Sequence, residues 1–120
     1  MALTIYERNG GFSSVRKVVS AFYDLALDSQ VIGHHFEDIE MPRLIDHQTR
    51  FVSFLMGGPA SYSDDHLERV HARLGITHAE FEEMVELLVE TLEDHDFTSD
   101  DVAAIEKELR KRKPVIVDGR

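Results

Sequence analysis

Three amphipathic stretches of this chain are interrupted by side chains that could do chemistry. Tyr23 falls four residues after Val19 on one apolar stripe, His47 and Gln48 follow Leu44 at i+3 and i+4 on a second, and His71 stands four residues after Leu67 on a third. A polar group turned inward costs about 1 to 3 kcal/mol unless something satisfies it. Singly, each has an ordinary reading: a buried tyrosine whose hydroxyl finds a carbonyl, a glutamine at the edge of a stripe, a core histidine in one satisfied tautomer. Together they describe a ligand pocket, because a histidine on one helix would face a tyrosine and a glutamine from two others.

Other chemistries fail on composition or spacing. With no cysteine in the chain, disulfides, thiolate nucleophiles and cysteine-held metals are excluded, so any metal must be held by His, carboxylate or Tyr. Glu68 to His71 matches the Glu-x-x-His of carboxylate-bridged di-iron bundles, but a second copy is missing. His66 and His71 are five apart, which turns them about 140° from each other on a helix, a poor geometry for two ligands of one ion. Hydrolase elbows, zincin motifs and phosphate loops are also missing from the sequence. The 13 basic against 23 acidic side chains give a net charge of −10, which repels nucleic acid. The basic run Lys107 to Lys113 reads instead as cations at the negative end of a helix.

The elements that must position these residues are helical. At 120 residues, 42% apolar, the chain reads as one domain over 1–120 with a basic tail from about 110. Val15, Val18, Val19, Phe22, Leu25 and Ala26 form a helix stripe starting near Ser13 or Ser14. Pro42 suits the first turn of a second helix carrying Leu44, Ile45, Phe51, Val52 and Leu55, which Gly57-Gly58-Pro59 stops. Asp64 or Asp65 can cap a third with Leu67, Val70, His71 and Leu74, and Gly75 supplies its exit. Thr77 and Glu80 have capping-box spacing and open a long helix with Phe81, Met84, Val85, Leu88 and Leu92 facing inward. Thr98 and Asp101 open a last helix, which must end before Pro114. The ten acidic side chains from Glu80 to Asp101 read as a solvated outer face. Only Val115 to Val117 reads as a strand, so the fold class is all-α. With no span of about 18 to 20 apolar residues and no apolar leader near Met1, a cytoplasmic protein without membrane partners is expected.

At these residues the sequence resembles the truncated hemoglobins, and among them the first group. Ile5 to Gly11, Ala21-Phe22-Tyr23, Phe36, Asp46-His47-Gln48 to Phe51, Gly57-Gly58-Pro59 with Tyr62, and Val70-His71 with Gly75-Ile76-Thr77 and Phe81 follow the family's signatures in order. The resemblance implies a two-over-two helical sandwich around a heme, with His71 as proximal iron ligand. It makes Tyr23 and Gln48 distal hydrogen-bond donors and places Leu44 beside them. Phe36 would stack on the porphyrin, and Phe51, Val52, Tyr62, Leu67, Ile76, Phe81 and Met84 would complete its surroundings. Relatives often carry a glycine two residues after the tyrosine that follows Gly-Gly-Pro, where this chain has Asp64. Some relatives bind heme covalently through a histidine of the final helix; here no histidine follows His95, so non-covalent heme b is expected.

Such a protein would bind dioxygen, nitric oxide and carbon monoxide, release dioxygen slowly, and consume nitric oxide with an unidentified reductase restoring ferrous iron. His47 shares the distal helix and offers an alternative sixth ligand, which would make a bis-histidyl redox or gas-sensing module. A cofactor-free helical interaction domain is the third reading. His34, His35, His66, His78 and His95 read as surface or capping residues, and Arg43, Arg50 and Arg69 as candidates for pairing with heme propionates.

Overall fold

The computed structural model describes residues 3–59 and 75–117. Among these the elements are α1 (Ile5–Arg8), α2 (Phe12–Asp28), a 3-10 turn η1 (Gly33–Phe36), α3 (Met41–Leu55), α4 (His78–Asp94), α5 (Ser99–Lys111) and α6 (Lys113–Ile116). No strand occurs among the described residues. Val115 and Ile116, expected in a strand, end α6 instead, because Pro114 fits the first turn of a new helix after α5 has stopped.

Helix starts follow side-chain chemistry. Thr4 and Glu7 cap α1 reciprocally, Thr77 and Glu80 do the same for α4, and the Thr98 hydroxyl accepts from the Asp101 N–H at the start of α5. Helix α2 begins at Phe12, a residue earlier than expected, because Gly11 takes the N-cap position at φ +75°. At the far end of α3 the chain turns through Gly57 at φ +85°, and a Cβ on Gly58 would lie 2.8 Å from the Ser53 carbonyl oxygen and 3.0 Å from the Tyr6 ring. This close approach lets the Tyr6 N–H donate to the Met56 carbonyl, tying α1 to the end of α3.

Helices α2 and α3 pack on each other, as do α4 and α5, and contacts of α2 with α4 and of α3 with α5 join the two pairs. Val15, Val18, Val19, Phe81, Leu92 and Ile105 are essentially inaccessible at the junction. Burying side chains of this size contributes roughly 1.5 to 3 kcal/mol each. Leu25, at the margin of the α2 stripe, lies exposed. The acidic stretch is less uniform than its charge pattern implies. Asp101 is buried and takes two hydrogen bonds of 2.9 Å from the Arg8 guanidinium, linking α1 to α5. Glu82 receives Arg110 at 2.8 Å and Lys113 at 3.0 Å, so part of the basic run serves to hold the end of the chain against α4. No helix among the described residues is long and apolar enough to cross a membrane.

Candidate functional site

Between the two helix pairs lies a cavity of about 930 Å³, counted out to its open mouth. Helix α2 contributes Val19, Phe22 and Tyr23; α3 contributes Leu44, Gln48, Phe51, Val52 and Leu55; α4 contributes Glu80, Met84 and Leu88. Ile32, His35 and Phe36 close one side, and Ile76, Leu109 and Ile116 add to the wall. The lining is therefore apolar apart from a few groups, chiefly one phenol, one amide and, at the rim, an imidazole beside a carboxylate.

Tyr23 is held by its neighbours. Its ring meets Phe22 edge-on at 4.9 Å and Phe36 edge-on at 5.4 Å, the geometry favoured by aromatic quadrupoles. Burial pushes the phenol well above its usual pKa, so the hydroxyl keeps its proton and remains a donor. Neither this hydroxyl nor the Gln48 amide has a hydrogen bond to another described residue.

The structure brings together most of the residues singled out from the sequence: Tyr23, Phe36, Leu44, Gln48, Phe51, Val52, Ile76 and Met84 all line the cavity. Phe81 is fully buried but belongs to the core behind the wall, with the Lys113 ammonium 5.4 Å from its ring centre. His47 is exposed and does not line the cavity. The reason is helical phase. The face of α3 toward the cavity carries Leu44, Gln48, Phe51, Val52 and Leu55, while the inward Thr49 satisfies its hydroxyl on the Ile45 carbonyl at 2.6 Å. At about 100° per residue Gln48 falls near the middle of this face and His47 is turned toward the exposed side shared with Arg43 and Arg50. Arg43 and Arg50 are likewise exposed. Tyr62, Leu67, Arg69 and His71 lie outside the described residues.

Two lining residues, His35 and Glu80, were expected respectively at the surface and only in a cap. His35 is half-buried, and its Nε2 lies 2.8 Å from Glu80 Oε2. Burial raises the Glu80 pKa, but the Thr77 N–H and then His35 outweigh it and hold the carboxyl below the usual value. No sequence spacing reports this pair, since 45 residues separate the two. Leu109 and Ile116 were missed for the same reason.

A family model described as bacterial-like globin matches residues 4–116. The chain belongs to the bacterial-like globins. Within that family it is a truncated hemoglobin. It is 30% identical over 91 residues to the Group 1 truncated hemoglobin of Tetrahymena pyriformis, covering 76% of this chain and 75% of that one. With the Group 1 truncated hemoglobin GlbN of Synechocystis it shares 29% identity over 106 residues, 85% and 86% of the two chains. The crystal structure of the T. pyriformis truncated hemoglobin in its Fe(III) form superposes with a TM-score of 0.86 at 25% identity, covering 96% of this chain and 98% of that one. The stacked helix pairs are thus the two-over-two globin sandwich, and a globin binds heme and, through it, a small gas. The residues present fit that group. Its largely apolar walls suit a flat apolar macrocycle, and its two donors without partners among the described residues suit a polar ligand held within it. The cofactor-free reading finds no support in this globin.

Proposed function

We propose that this globin binds dioxygen reversibly and supports the removal of nitric oxide. His71 would be the proximal ligand of a non-covalent heme b, and Tyr23 and Gln48 the distal donors. When bound, heme supplies an iron that takes up dioxygen, nitric oxide or carbon monoxide and can turn dioxygen with nitric oxide into nitrate, an external reductase providing the electron that restores the ferrous state. The chain's own part is to hold, orient and select. Phe36 and Met84 offer apolar surface to the macrocycle, while Leu44, Phe51 and Val52 keep water from the distal side. The Tyr23 hydroxyl and the Gln48 amide both present N–H or O–H groups, which favour a gas whose outer atom carries partial negative charge.

One observation carries this reading: two polar donors among the apolar walls of the cavity have no partner among the described residues. A ligand atom carrying partial negative charge would gain a hydrogen bond from each, worth about 1.5 to 3 kcal/mol when the acceptor is charged. A test begins with the full chain supplied with heme. An intense Soret band should form, acidified butanone should extract all of the heme, and His71→Ala should abolish the band while far-UV circular dichroism stays unchanged. Nitric oxide consumption in the presence of dioxygen should fall in Tyr23→Phe. A colourless wild-type protein, or a Soret band that survives His71→Ala intact, would overturn the assignment.

A further inference from the structure

At the rim of the cavity, His34 and His35 of η1 converge on Glu80 of α4. His34 Nε2 lies 3.3 Å and His35 Nε2 2.8 Å from the same carboxylate oxygen, and one ligand atom from each of the three residues falls within 4.8 Å of the others. Successive residues of a 3-10 helix point about 120° apart, so adjacent histidines do not ordinarily share a target. Here their rings are drawn together, with centres 4.2 Å apart and planes inclined by 35°. Among the described residues this is the one group of three metal-ligating side chains so arranged.

We propose that His34, His35 and Glu80 form a binding site for a first-row divalent cation, zinc by preference, separate from the heme. Two imidazoles and one carboxylate are a zinc donor set that leaves a fourth position for water. Bonds of about 2.0 to 2.1 Å at tetrahedral angles put ligand atoms about 3.3 Å apart. The His34 to Glu80 separation already has that value, the His35 to Glu80 contact needs to open by about half an ångström, and the two histidine ligand atoms, within 4.8 Å of each other, would settle to the same spacing. Glu80 is oriented beforehand, because its Oε1 accepts the Thr77 N–H at 2.9 Å in the helix cap and leaves Oε2 toward the histidines. The carboxyl is also held in its charged form, as a metal ligand must be. Since His35 and Glu80 also line the cavity, the ion would brace the segment carrying Phe36 against the helix carrying Met84.

The experiment titrates zinc chloride into the full chain, purified without a histidine tag, by calorimetry. One zinc per chain should bind. Removing a direct ligand should weaken binding at least as much as removing an outer partner does, about tenfold or more, in both His34→Ala and Glu80→Gln. Both variants should fold, because His34 is exposed and Gln at position 80 preserves the capping box. His95→Ala, at the other end of α4, should leave the affinity unchanged. Zinc should also raise the melting temperature of the wild type and not that of Glu80→Gln. Absence of saturable binding, or one-to-one binding of equal strength in His34→Ala and Glu80→Gln, would overturn the site.

Discussion

Replacing Tyr23 with Phe removes one oxygen atom from the cavity wall and leaves the ring where it is. The edge-on contacts at 4.9 Å to Phe22 and 5.4 Å to Phe36 involve carbon atoms that phenylalanine also has. The hydroxyl has no hydrogen bond to another described residue, so its loss breaks none of their bonds and should change folding stability by less than about 1 kcal/mol. Its effect on a ligand should be much larger. A hydrogen bond to a charged acceptor contributes about 1.5 to 3 kcal/mol, and 1.4 kcal/mol is a factor of ten, so dioxygen should leave the variant about 10 to 150 times faster. Carbon monoxide develops far less negative charge at its outer atom and serves as the control, with a change of no more than about threefold. Stopped-flow release of each gas from heme-loaded wild type and Tyr23→Phe gives both ratios, with urea unfolding of each protein alongside. Equal acceleration of the two gases would mean that the variant opens the pocket instead of losing a donor. An unchanged dioxygen rate would remove Tyr23 from the distal site.

The remaining expectations concern His47 and acid. With His47 exposed, His47→Ala should leave the visible spectrum of the ferrous, gas-free protein unchanged; sharp split bands in the wild type that broaden in the variant would show that the imidazole reaches the iron after all. On acidification, the Arg110 and Lys113 partners hold the Glu82 carboxyl at about 2, against a usual value of 4.5, and the Arg8 guanidinium holds Asp101 below its usual value despite burial. Groups with depressed native pKa values stabilise the fold fully above their unfolded values and cease to do so as pH falls through the native ones. The urea midpoint should therefore be flat above about pH 5 and decline from there toward pH 2. A midpoint at pH 3 equal to that at pH 7 would contradict these pairings.

Much of this protein is legible in one dimension because helices are governed by neighbours three and four residues away. The Thr77 and Glu80 cap, the Pro42 start and the stripe of α2 each follow from such local spacing, and all three stand in the structure. Tyr23 and Gln48 were found in the same way, as polar residues out of place in an apolar period. What spacing left open was the phase of a helix against its partners. His47 and Gln48 are adjacent in sequence and equally polar. Only the packing of α3, which turns the face of Leu44, Phe51, Val52 and Leu55 toward the cavity, sends one to solvent and the other to the cavity.

Contacts across long stretches of chain were beyond any period. Asp101 sits in a run of acids and reads as solvated, yet the fold buries it because Arg8, 93 residues away, brings a matching pair of donors. His35 and Glu80 become one unit only when η1 is laid against the start of α4. The sequence alone placed α2, α3, α4 and α5 and marked the side chains that disturb their apolar faces, since both depend on short-range geometry. The tertiary structure alone decided which of those side chains share a cavity and which charges meet, because that depends on how rigid helices rotate and stack to bury their faces together.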